Sequence, residues 1–167
     1  MSRAFVKEGD GEGVESLPAR LLPAHANYVT AQGLAKLQTR ARDLAGECET
    51  LRRISADNTN AKQMLRVAER DLHYFRAQLE RAELVTPAAQ HDEIHFGARV
   101  TIRGEDGAVQ KVRIVGDDEA DASAGDISWA SPLARALIGA RVGEGVTWQR
   151  PAGATEIEIL AVAYALG

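Results

Sequence analysis

Four stretches of this 167-residue chain carry side chains that could do chemistry. HDEIH (91–95) sets His91 and His95 four apart with acids between them, a spacing that on a helix would aim both rings at one metal ion. The zinc-helix pattern places Glu directly after the first His, and here Asp92 stands there. The segment also leads from Pro87 into a strand, where residues four apart lie about 13 Å from each other. GDDEAD (116–121) has enough carboxylates for a divalent-ion loop but lacks the alternating ligands and the closing Glu of one, so it is expected to be a solvated turn at a strand end. Cys48 falls on the apolar seam of a helix and reads as a small core residue rather than a reactive thiol. The fourth stretch, RRISADNTNAKQM (52–64), carries Arg52, Arg53 and Lys62 against Asp57 alone. Counted on to Arg66 it holds four basic groups and one acid. Such a cluster cannot chelate Mg²⁺, which takes oxygen ligands; it would instead meet phosphate, nucleotide or an acidic protein surface, or else consists simply of solvated side chains at a coil end. No residue is assigned a catalytic or metal-binding role, and no cofactor is expected.

Two apolar seams must position that fourth stretch. Leu34, Leu37, Ala41, Leu44, Cys48 and Leu51 are spaced 3, 4, 3, 4, 3, and Thr30 ahead of them is a good N-cap. Ala61, Leu65, Ala68, Leu72, Phe75, Leu79 and Ala82 repeat the pattern at 4, 3, 4, 3, 4, 3. Two such stripes joined by a short polar segment bury each other only by folding back. An antiparallel coiled-coil hairpin follows, with arms on the order of 30–35 Å. The second helix is expected to stop near Val85-Thr86-Pro87, because the residue before a proline is pushed out of helical geometry.

Beyond residue 90 the period changes to alternation. Ala98, Val100 and Ile102 lead to a GEDG turn (104–107), and Val109–Val115 and Ile127–Trp129 follow as strands. Pro132 opens a short helix, SPLARALIG, closed by Gly139; Val146–Gln149 and Ile157–Tyr164 complete about five strands. Helices and strands segregated in this way indicate an α+β architecture. The expected domains are a flexible N-terminal arm (1–27), the hairpin (28–86) and a C-terminal β-sheet domain (87–167).

Composition narrows the function classes. The net charge is −4, which argues against a protein that coats nucleic acid, and 5% aromatic residues leave little for a base-stacking platform. Charge is also uneven: residues 1–27 carry net −1, residues 28–90 net +2 and residues 91–167 net −5. One cysteine, no apolar run of membrane length and no signal-peptide core fit a cytoplasmic protein without membrane contact.

The C-terminal residues carry a resemblance. FGARVTI (96–102), RIVGDDEAD (113–121), ISWASPLARALIG (127–139), VGEGV (142–146) and RPAG (150–153) follow, in order and spacing, the bacterial Gre transcript-cleavage and elongation factors, GreA and GreB. YVTAQGLAKL (28–37) and AERDLHYFRAQLERAELV (68–85) extend the match more loosely into the hairpin. The resemblance implies an FKBP-like fold for the C-terminal domain and binding to RNA polymerase at the rim of its secondary channel. The hairpin would then reach inward, where its tip could contact nucleotide or RNA. Ser131 and Pro132 match the family's docking Ser-Pro, while the preceding Asn or Asp is Ala130 here. The protein is expected to act as a monomeric binding module and not as an enzyme.

At the tip the chain departs from the family. The family motif Gly-Asp-Leu-x-Glu-Asn-Ala-Glu-Tyr supplies an Asp and a Glu that help to hold a Mg²⁺ ion in the polymerase active site. An ungapped register from Arg76 places Asn60-Ala61 on the motif's Asn-Ala, so Ala56 and Thr59 occupy the acidic positions. A one-residue slip lets Asp57 stand for the Asp, but no Glu follows at the required spacing. The first arm is also shorter than the family's, by about three helical turns. The tip set is therefore Arg52, Arg53, Asp57, Asn58, Thr59, Asn60 and Lys62, and the expected outcome is channel occupancy with little or no stimulation of RNA cleavage. Two other readings stay open: cleavage stimulation through Asp57, and regulation of nucleoside diphosphate kinase, as in short-coil relatives. FKBP-like folds also include prolyl isomerases, but Phe96, Trp129, Trp148 and Tyr164 are too few aromatics to line a proline cavity.

Overall fold

The computed structural model describes residues 17–87 and 92–165. Helix α1 (Ala31–Ile54) starts where Thr30, in extended geometry, accepts the Gly33 amide on its side-chain oxygen at 2.9 Å. Helix α2 (Thr59–Glu80) starts in the same way, with Asn58 Oδ1 accepting the Ala61 amide at 3.0 Å. Only residues 55–58 separate the two helices. At 1.5 Å per residue, their 24 and 22 residues make arms of about 36 and 33 Å. Ala41, Leu44, Cys48 and Leu51 of α1 pack on Ala61, Ala68 and Leu72 of α2, flanked by Leu65, Phe75 and Leu79. This is the antiparallel hairpin that the heptad spacing requires. Cys48 is fully enclosed and burial raises its thiol pKa, as befits a core residue.

The return helix stops at Glu80, short of the Val85-Thr86-Pro87 boundary that the proline signal alone suggests. Two short strands explain the early stop. Strand β1 (Asn27–Val29) and strand β2 (Ala82–Leu84) pair in parallel, Asn27 opposite Ala82 and Val29 opposite Leu84, and the Val85 amide donates to the Val29 carbonyl at 3.0 Å. A backbone committed to that ladder cannot also continue an α-helix.

The C-terminal half is a five-stranded sheet: β3 (Arg99–Gly104), β4 (Val109–Val115), β5 (Asp126–Ser128), β6 (Gly145–Arg150) and β7 (Gly153–Ala163), ordered β5-β4-β3-β7-β6. All neighbours are antiparallel except β4 and β5. Alternation sends Val100, Ile102, Ile114, Ile157 and Ile159 to one face, where helix α3 (Pro132–Leu137) covers them with Leu133, Ala134 and Leu137. Ser131 caps α3 and Pro132 occupies its first turn, where the missing amide hydrogen costs nothing. The whole is α+β, a helical hairpin followed by a curled sheet with one short α-helix.

Candidate functional site

The hairpin tip leaves its chemistry in solvent. Arg52, Arg53, Asp57, Asn58, Thr59, Asn60, Lys62 and Arg66 are all exposed. Arg52 is neutralised by Glu69 at 2.8 Å, whereas Arg53 reaches only the Glu49 carbonyl at 3.4 Å. Asn58 is spent on capping α2, and Asn60 lies against Met64 at 3.8 Å. Ile54 and Met64 are about half exposed beside them. The tip therefore presents Arg53, Lys62 and Arg66 with apolar neighbours and one carboxylate, Asp57. Ala56 and Thr59 offer no oxygen anions. A carboxylate pair that could hold a divalent ion is absent from this end of the hairpin.

The Ala130–Pro132 segment lies in the sheet domain, between β5 and α3. The Ser131 amide donates to the Ser128 carbonyl at 2.9 Å, and the Ala134 amide donates to Ser131 Oγ at 3.3 Å. Pro132 is exposed, and Ile138 and Val142 add apolar surface beyond α3. Of the apolar residues in LARALIG, Leu133, Ala134 and Leu137 are core, while Ile138 is not.

Sequence reasoning missed a third feature. GDDEAD is not a solvated turn: its three successive acids grip three different parts of the N-terminal half. Asp117 accepts from His25 Nε2 at 2.5 Å. Asp118 accepts from Tyr74 Oη at 2.9 Å and from Gln78 Nε2 at 2.7 Å, both on α2. Glu119, 5% exposed, accepts the Thr30 hydroxyl at 2.6 Å and faces Arg113 at 3.3 Å. Arg113 is itself held by both oxygens of Asp126, and this bonding raises its pKa despite partial burial. Two glycines mark how closely the halves approach. A Cβ at Gly33 would stand 2.5 Å from Glu119 Oε2, and one at Gly116 would stand 2.4 Å from the Tyr28 carbonyl oxygen. Tyr74 and Gln78 lie four apart on α2, off the heptad seam, so the sequence alone gives no signal for this junction; both are buried.

Desolvation, then the hydrogen bond to Asp118, pushes the Tyr74 phenol up from 10.0 to about 12. A raised folded-state value means the contribution is complete below pH 10 and is lost as pH rises toward 12. Urea midpoints of the wild type are therefore expected to fall over that window relative to Tyr74→Phe, which cannot ionise. At neutral pH the same variant should be less stable by about 1 kcal/mol, the worth of one hydrogen bond.

Among the described residues no group of three or more His, Cys, Asp or Glu side chains could hold a metal ion. His91 of the HDEIH stretch lies outside the described residues. His95 Nε2 is 3.7 Å from Glu93, whose backbone carbonyl accepts from Tyr164. A cavity of about 460 Å³ opens between the GEDG turn and strands β6 and β7. It offers one aromatic wall, Trp148, among Glu105, Asp106 and Arg150, which is not the apolar enclosure a proline ring needs. No helix among the described residues is long and apolar enough to cross a membrane.

A family profile described as "Transcription elongation factor, GreA/GreB, C-term" matches residues 89–164. The chain is 42% identical over 112 residues to the transcription elongation factor GreB of Neisseria meningitidis serogroup B, covering 66% of this chain and 69% of that one. It is 40% identical over 113 residues to the transcription elongation factor GreA of Azorhizobium caulinodans, covering 66% and 72%. Among solved structures, the GreA factor homolog 1 protein of Thermus thermophilus aligns with 83% of this chain and 99% of its own, at 24% identity and a TM-score of 0.39.

Proposed function

This chain belongs to the GreA/GreB family of transcription elongation factors, and from that premise we propose that it regulates elongation by occupying the secondary channel of RNA polymerase without stimulating transcript cleavage. The Ala130–Pro132 segment and the adjoining exposed Ile138 form the face that docks at the channel rim. The hairpin enters the channel and presents a positive tip. One observation carries the second half of this reading: the tip exposes Arg53, Lys62 and Arg66 where a metal-holding pair of carboxylates would be needed. Activating water for phosphodiester hydrolysis through a second Mg²⁺ requires anionic oxygens that bridge or hold the ion. Guanidinium and ammonium groups repel the ion and attract the phosphates around it. The factor then acts by occupancy, narrowing the route of nucleotides and competing with other proteins for the same pore.

The test is a binding titration with core RNA polymerase, run beside a cleavage assay on a backtracked elongation complex with the same preparation. Saturable binding with an intact RNA 3′ end is the expected result, and Asp57→Ala should leave both readouts unchanged. Rapid shortening of the RNA would overturn the proposal. Shortening abolished by Asp57→Ala would assign that carboxylate the metal-holding role instead. Absence of polymerase binding, with recovery of nucleoside diphosphate kinase in a pull-down, would move the function to another partner.

A further inference from the structure

Residues 17–26 form neither helix nor strand, yet they are held at Arg20, Pro23 and His25, while residues 1–16 of the expected N-terminal arm lie outside the described residues. The Arg20 guanidinium sits 3.8 Å over the Tyr74 ring and 3.6 Å from Asp71, both on α2. Arg81, just past the end of α2, donates from Nη2 to the Pro23 carbonyl at 2.8 Å and to the His25 carbonyl at 2.6 Å. These bonds hold the segment against the base of the hairpin. His25 then turns its ring away from the hairpin and onto the sheet domain.

There the ring meets the Ala130–Pro132 loop through two routes. Nε2 donates to Asp117 Oδ2 at 2.5 Å, and Asp117 Oδ1 accepts from the Ser128 hydroxyl. With its proton committed to Asp117, Ser128 Oγ turns a lone pair to the Ala130 amide at 3.1 Å. The second route is packing: the His25 ring stands edge-on to Trp129, 5.2 Å between centroids at 86°. Tyr28 of β1 also packs against Trp129, at 4.8 Å between centroids, and is backed by Phe96 at 6.2 Å. Trp129 Nε1 is buried without a hydrogen-bond partner among the described residues, so ring packing, not a bond to the indole, keeps this side chain in place. Ser128 and Trp129, the two residues that precede Ala130, thus both take support from the segment ahead of α1.

We propose that the segment from Arg20 to Tyr28 is a strut that sets the docking loop, and that His25 is its positioning residue. Resting on the docking role given above to Ala130–Pro132, this assigns the N-terminal segment a place in polymerase binding. His25 touches no partner itself. It fixes the Asp117–Ser128 pair that orients the Ala130 amide, and it does so from a backbone anchored to the hairpin by Arg81. The loop that docks and the helix pair that enters the channel therefore share one brace, and loosening it frees the loop before the complex forms. Ordering a loosened loop on binding weakens association.

The experiment compares full-length His25→Leu, His25→Gln, Asp117→Asn and Pro132→Glu proteins well below their melting temperatures. Affinity for core RNA polymerase is read together with hydrogen exchange of the amides at residues 128–131. His25→Leu and Asp117→Asn are expected to weaken binding about tenfold and to speed exchange at those amides. His25→Gln retains an amide donor for Asp117 and should recover most of the affinity, which a purely structural role in the core would not predict. Wild-type affinity and exchange in His25→Leu and Asp117→Asn, beside weakened binding by Pro132→Glu, would overturn the strut while leaving the docking segment standing. Wild-type affinity in all four proteins would overturn the docking assignment, and with it the strut.

Discussion

Glu119→Ala is expected to lower the unfolding free energy by about 3 kcal/mol, which for a chain of this size moves the melting temperature by about 10 °C. Four losses combine at this site. The Thr30 hydroxyl accepts the Gly33 amide and gives its own proton to Glu119 Oε2, so the carboxylate orients the N-cap of α1 from the other half of the molecule. A carboxylate beside the first turn of a helix also complements the partial positive charge there. Arg113 loses one of its acidic partners, although Asp126 still holds it with two bonds. Truncation finally empties the space that Gly33 keeps free for the carboxylate. Glu119→Gln keeps an acceptor for Thr30 and the volume, and should cost clearly less. Equal stability of the alanine variant and the wild type in urea titration would mean that the two halves hold together without this contact.

Reversing the tip charge in Arg53→Glu/Lys62→Glu should reduce polymerase affinity by about tenfold or more at low salt, with the difference shrinking as ionic strength rises. Both side chains are exposed, so the hairpin core and the melting temperature should stay as they are. The variant changes the 52–66 stretch from four basic groups and one acid to two and three. If the tip meets phosphate or an acidic surface inside the channel, an inverted sign is repelled at that point and association slows. Unchanged affinity across the salt range would reduce the tip to a solvated coil end and leave docking to the sheet domain alone. Comparison with Pro132→Glu separates the two contributions, since one acts at the end of the hairpin and the other at the loop before α3.

Much of this architecture follows from local patterns. The heptad spacing of Leu37, Ala41, Leu44, Cys48 and Leu51 is enough to make a stripe that only a second stripe can bury, and the second lies within reach of the chain. Thr30 and Ser131 cap their helices because a side-chain oxygen three residues ahead of a free amide needs no distant partner. Alternation at Val100 and Ile102 determines which face of β3 is core. The open tip is legible too: whatever joins two antiparallel seams must project from their end, and its charge can be counted from the residues.

Other features escape such patterns because their partners are remote in sequence. Strands β1 and β2 have three residues each, too few to show a period, and they meet only after the hairpin has folded back. Tyr74 and Gln78 look like surface residues beside the seam until Asp118, 44 and 40 positions away, reaches them. Asp117, Asp118 and Glu119 read as one polar turn because side-chain chemistry alone says that carboxylates prefer water. Burial of Glu119 becomes favourable only when the fold brings Thr30 and Arg113 to it, 89 and 6 positions distant.

The sequence by itself determined the hairpin, the sheet and the basic, acid-poor tip, since each depends on periodicity or composition within a short span. Only the tertiary structure decided how the halves are joined and which residues hold the Ala130–Pro132 loop. His25 and Asp117 are 92 positions apart, and the value of their contact depends on the docking of whole elements, a property no window of sequence contains.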